Sequence, residues 1–177
     1  MQTARKYGSY VVIAGIAAFV LFYASSAFKR LNTNGGNNGP SVNLTKGDYE
    51  PPFRHDGTTY AVQGEDTLGV FRTEYAKSPA ELEFGMMNRK HMDPDMGMLF
   101  FMIPGGDRMR SFWMKNTFVS LDIIYINSQH EVVSIQRNAQ PLNESSLPSE
   151  GPAAFVLEVK GGTCDELGID KGAKILW

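Results

Sequence analysis

The sequence predicts a mainly β domain, a β-sandwich or jelly-roll-like barrel with one short helix, preceded by an N-terminal transmembrane or signal helix. Three observations carry this expectation. From Thr58 to the C-terminus, short apolar or alternating runs recur with turn signals between them. A single stretch has the start signals of a helix. An uncharged run near the N-terminus is long enough to cross a bilayer. Many short strands with one helix favour a sandwich or barrel over a βαβ sheet.

The uncharged run covers 21 residues, Gly8 to Phe28, between Arg5-Lys6 and Lys29-Arg30. Its length suits a retained anchor, whereas small residues at Ser25 and Ala27 suit cleavage of a signal peptide after Ala27. Either way the body is expected outside the cytoplasm, in the cell envelope on its membrane anchor or secreted to the periplasm. Residues 31–57 are polar and Gly-rich around Asn34-Gly35-Gly36-Asn37-Asn38-Gly39-Pro40 and read as a flexible linker. The expected organisation is thus 1–30 anchor or signal, 31–57 linker and 58–177 β-domain.

Within the body, Thr58–Val62 and Thr67–Arg72 read as a hairpin around Gln63-Gly64-Glu65-Asp66. Ser78, Pro79 and Glu81 make a capping box with proline at the first helical position, so a helix is predicted from Pro79 to about Lys90. Met98–Ile103, Arg108–Met114, Val119–Ile126, Glu131–Gln136, Ala153–Val159 and Ala173–Trp177 are the remaining strand candidates.

Charge excludes one class of partner. The chain has 17 basic and 19 acidic residues, and four of the basic ones flank the N-terminal run, leaving 13 against 19 in the remainder. An acidic body without a basic stripe gains little from counterion release, so nucleic acid is not an expected partner. Cys164 is the only cysteine, which rules out an intramolecular disulfide and a cysteine-based zinc site.

Phe84-Gly85-Met86-Met87-Asn88-Arg89, Gly97-Met98-Leu99-Phe100-Phe101, Ser111-Phe112-Trp113-Met114-Lys115-Asn116-Thr117 and Leu121-Asp122-Ile123-Ile124-Tyr125-Ile126 follow one another in order. With Leu147-Pro148-Ser149-Glu150-Gly151-Pro152-Ala153 and Val156-Leu157-Glu158-Val159, this pattern resembles the family catalogued as domain of unknown function 192, over roughly residues 58–177. Asn88 and Phe84 depart from the residues common there. The resemblance implies a compact β-sandwich or jelly-roll-like fold and no established activity.

Candidate chemistry centres on Trp113, Lys115, Asn116 and Thr117, which bring a stacking ring, a cation and hydrogen-bonding groups together at a strand end. With Asp122 and Arg89 they would line a polar cleft for a small polar ligand, a saccharide or another envelope component. The alternative is that the segment is a turn whose tryptophan fills the core. A second reading takes the methionines between 86 and 114, with Met92, Met96, Met98 and His91 as a soft-metal Cu(I) set, against their use as core filling. A third is a hydrolase, although no pair of carboxylates is placed by spacing and Ser111 lacks a nucleophile-elbow context. No cofactor is expected, and a monomeric, membrane-tethered binding or accessory module is the expected whole.

Overall fold

Strands β1 (Gly57–Gln63) and β2 (Asp66–Ala76) form the predicted hairpin. The computed structural model describes residues 50–102 and 106–177. Helix α1 (Pro79–Phe84) starts as the capping box requires: Glu81 N–H donates to the Ser78 hydroxyl at 3.3 Å and Ser78 N–H donates to the Glu81 carboxylate at 2.9 Å. Next come β3 (Met96–Phe101), β4 (Ser111–Phe112), β5 (Leu121–Ile126), β6 (Val132–Ala139), β7 (Leu147–Pro148) and β8 (Phe155–Lys160). Helix α2 (Thr163–Leu167) and β9 (Lys174–Leu176) complete the described chain.

Seven strands form one sheet in the order β6-β5-β8-β3-β2-β1-β9, and β4 pairs with β7 alone. All pairings in the large sheet are antiparallel except β2 with β3. The expectation of a sandwich or jelly-roll-like barrel with one helix is therefore corrected to a mixed sheet with two short helices and, among the described residues, no closed barrel. Strand spacing along a chain does not encode which strands pair. The connection from Lys77 to Asp95 is long enough to cross over, and it delivers β3 parallel to β2. The continuous burial of β5 and of most of β8 agrees, because a strand covered on both faces loses the apolar–polar alternation.

Each face of the sheet has its own core. On one face Phe71, Leu99, Ile124, Leu157 and Ile175 pack with Cys164, Leu167 and Ile169 from α2 and its exit. On the other, Met98, Phe100, Ile123, Tyr125 and Val156 pack under Leu82 of α1, Met86 and Met92 of the crossover, and Phe112 and Leu147 of the β4–β7 pair.

That second core corrects the Cu(I) reading. Met92 and Met98 are buried in it and Met96 packs against it, whereas His91 is exposed and turned to Glu50 at 3.3 Å. The sulfurs fill irregular space beside aromatic rings. Among the described residues no group of three or more His, Cys, Asp or Glu is placed to hold a metal ion.

The membrane-tethered envelope reading, with the membrane as partner, is corrected as well. No helix among the described residues is long and apolar enough to cross a membrane, and the run Gly8–Phe28 on which that reading rested lies outside them. The end of the predicted linker is fastened to the body: Glu50 accepts from the backbone of Lys90 at 2.7 Å and His91 at 2.9 Å.

Helix α1 stops short of the predicted Lys90 because Gly85 turns the chain at φ 47°, ψ −129°. A Cβ there would lie 3.1 Å and 3.2 Å from two atoms of the Phe100 ring. Gly85→Ala is expected to lower stability by ~1–3 kcal/mol, since side chains rarely adopt this conformation and the ring beneath is fully packed. Urea denaturation of the variant measures it.

Candidate functional site

Lateral pairing sets three side chains in a row across the second face. Glu74 of β2 lies beside Met98 of β3, and Met98 lies beside Glu158 of β8. Residues paired across strands point to the same side, so two acids stand on one apolar face with a methionine between them. Both are buried. The crossover roofs them, and two clefts flank the roof, each lined in part by Phe84 and Gly85.

The first cleft, of about 40 Å³, is lined by Met87, Phe112, Trp113, Lys115 and Thr117, with Glu158 at its inner wall. Glu158 is 3% exposed, and its enclosed Oε2 has no hydrogen-bond partner. Burial without a compensating cation pushes its carboxyl up to about 8. The phenol of Tyr125, on the same face, is raised by burial and then by the charge of Glu158, and its O–H donates to the Leu147 carbonyl.

The second cleft, of about 450 Å³, holds Glu74 against two guanidinium groups. Arg89 Nη2 lies 2.6 Å from Glu74 Oε1, near enough for an ion pair but without hydrogen-bond alignment, and Arg54 Nε is 3.6 Å from Oε2. Burial raises the Glu74 carboxyl against the opposing pull of Arg89 and Arg54. Arg54 also pairs with Glu81, whose carboxylate the backbone N–H groups of Ser78 and Lys77 hold down at about 2.

The sequence-predicted residues divide among three places. Trp113, Lys115 and Thr117 line the Glu158 cleft, and Arg89 lines the other. Asn116 works through its backbone: it takes φ 52°, and its carbonyl accepts from the N–H of Asn88, itself at φ 65°, at 2.7 Å. Phe118 N–H donates to the Arg89 carbonyl at 3.2 Å, so the two loops that carry these residues are laced together. Asp122 lies on the opposite face, because strand alternation turns it away from its neighbour Ile123. There it accepts from the N–H groups of Asn138 at 2.7 Å, Gly162 at 3.1 Å and Cys164 at 2.7 Å.

The remaining functional expectations are corrected by the same geometry. Trp113 is 48% exposed, but Lys115 Nζ sits 4.9 Å from its ring centroid, taking a face that a stacked sugar would need. For a hydrolase, the Ser111 hydroxyl meets that of Ser146 at 2.7 Å in place of a base, and Glu81 is engaged as a cap. Glu158 was not among the sequence candidates, and Glu74 was one of several carboxylates that spacing alone did not place. For Glu158 a signal was present: it is the single acid inside the apolar run Phe155–Val159.

The model of the DUF192 family, described as an uncharacterised ACR, matches residues 60–177. The chain belongs to the DUF192 family. Two solved structures share the fold. A protein of unknown function from Novosphingobium aromaticivorans is 32% identical, with a TM-score of 0.64, over 80% of this chain and 100% of that one. A candidate transcription regulator from Sinorhizobium meliloti is 35% identical, with a TM-score of 0.62, over 67% of this chain and 91% of that one. No curated protein matches. Membership of DUF192 thus accounts for the architecture and leaves the chemistry to be read from the clefts.

Within this DUF192 domain, scaffold and cleft are separable by mutation. Asp122→Ala strands three backbone donors and is expected to cost ~3 kcal/mol. Lys115→Ala, at a half-open rim, should cost under ~0.5 kcal/mol. Equilibrium denaturation in urea compares them, and equal losses would mean that Lys115 is also scaffold.

Proposed function

We propose that this domain is a cofactor-independent proton-transfer enzyme, with Glu158 as its acid–base group and a small carbonyl compound as its substrate. The observation that carries the reading is the enclosed, unpartnered Oε2 of Glu158 beside a cleft walled by aromatic and methionine side chains. A buried polar atom without a partner is costly, and a ligand that supplies the partner recovers that cost. A carboxyl raised to about 8 also sits near the optimum for exchanging protons at neutral pH.

The chemistry balances without a co-reactant. Ionised Glu158 takes a proton from the carbon next to the carbonyl, and the electron pair of that C–H bond moves into an enolate. Lys115, on the same cleft, supplies the cation that stabilises the enolate oxygen. The protonated carboxyl then returns the proton to the original carbon or to another carbon of the conjugated system, so the product is an isomer or an exchanged substrate.

Two measurements test this. The carboxyl carbon of Glu158, followed by NMR, should titrate with a midpoint near 8; a midpoint near 4.5 would remove the basis of the proposal. Deuterium exchange at the α-carbon of acetone should be accelerated by the protein, rise with pH through the Glu158 midpoint, and fall ~100-fold or more in Glu158→Gln. Equal rates for the two proteins would overturn the assignment.

Stability gives an independent readout with a definite sign. Burial raises the folded-state carboxyl above the ordinary glutamate value of 4.5, so the contribution of Glu158 is fully present below that pH. It declines as pH rises and is lost through about 8, as the unfolded chain ionises first. The span is at most on the order of 5 kcal/mol, and Glu158→Gln should flatten that part of the profile. Lys115, Glu83 and Tyr125 are the other titratable groups near the site, and they remain in both proteins.

A further inference from the structure

We propose that the Arg89 cleft is a second binding site, separate from Glu158, for an uncharged and mainly apolar molecule that carries one carbonyl acceptor. Size comes first. At about 450 Å³ the cleft lies within the range of small-molecule sites, whereas the Glu158 cleft admits little more than a functional group. Its walls are mostly apolar, with Pro51, Ala76, Ala80, Phe84 and Met98 supplying much of the lining.

Charge then narrows the ligand. The charged groups lining the cleft are Arg54 and Arg89 against Glu74 and Glu81, and they balance. Each is already engaged: Arg89 with Glu74, and Arg54 with Glu74 and Glu81. An ion entering the cleft would have to displace one of these partners, and breaking the buried pair would leave an uncompensated charge. An uncharged ligand meets no such cost.

The hydrogen-bond inventory supplies the last element. Arg89 is 6% exposed, and its Nε–H is enclosed and has no hydrogen-bond partner. An N–H in that condition calls for one acceptor, and a neutral carbonyl is the acceptor that leaves the charge balance intact. An apolar body against the proline, alanine and phenylalanine walls completes the fit.

The experiment uses three probes of one size: acetanilide, which has the carbonyl; propylbenzene, which lacks it; and benzoate, which is charged. Amide spectra of the full chain should show saturable shifts at Ala76, Ala80 and Gly85 with acetanilide, and binding about tenfold weaker or more with each of the others. Ala80→Leu, a change at an exposed helix position, should fill the mouth of the cleft and weaken acetanilide at least ~fivefold. Arg89→Lys keeps the charge facing Glu74 and removes Nε–H, so it should abolish the preference for acetanilide over propylbenzene. Equal affinities for acetanilide and propylbenzene, shifts centred on Phe112 and Trp113, or unchanged affinity in Ala80→Leu would each overturn the proposal.

Discussion

Pairing β3 parallel to β2 constrains everything above the second face of the sheet. Parallel neighbours cannot be joined by a tight turn, so the chain must rise off β2, cross the sheet and descend into β3. That crossover is α1 with the loop to Asp95, and it lies over the row Glu74, Met98 and Glu158. The capping box, the Gly85 turn and the Asn88–Asn116 hydrogen bond fix its path. Both clefts exist because this cover is narrow. It buries Met86 and Met92 but leaves openings on either side of Phe84.

The two faces handle buried acids in different ways. On the α2 face, Asp122 is surrounded by backbone donors and ties β5 to the start of α2 and to Asn138 of β6. Its charge serves architecture. On the crossover face, Glu74 is compensated by arginines, while Glu158 retains a bare oxygen. An unsatisfied buried carboxyl is a cost that a bound ligand would offset, and the proposed acid–base role of Glu158 rests on it.

Legibility in the sequence followed the range of the interactions. The hairpin at Gly64, the capping box at Ser78 and the β5–β6 turn rest on neighbours a few residues apart, and local chemistry was enough to find them. The sandwich expectation failed because pairing is a long-range property: nothing within Met96–Phe101 declares that its neighbours will be β2 and β8. The Trp113–Thr117 segment was recognisable as a mixture of functional groups. Its placement beside Glu158 was not, since the two meet only after β8 enters the middle of the sheet. Asp122 misled for a related reason. Its sequence position after the turn suggested return to the same cleft, but the two-residue period of a strand sent it to the other side.

Helix α1 has one further property with a kinetic meaning. None of its residues is buried, and it is held by its cap, by Arg54 at Glu81 and by the edge of Leu82. Strand β5, by contrast, is buried along its whole length. Local opening free energy follows buried apolar contact, so amide hydrogens of the helix exchange with solvent through a small fluctuation, and those of β5 only when the whole domain unfolds. Helix α1, the part of the roof beside the two clefts, thus opens more readily than the sheet beneath it, on a timescale set by a single helical turn.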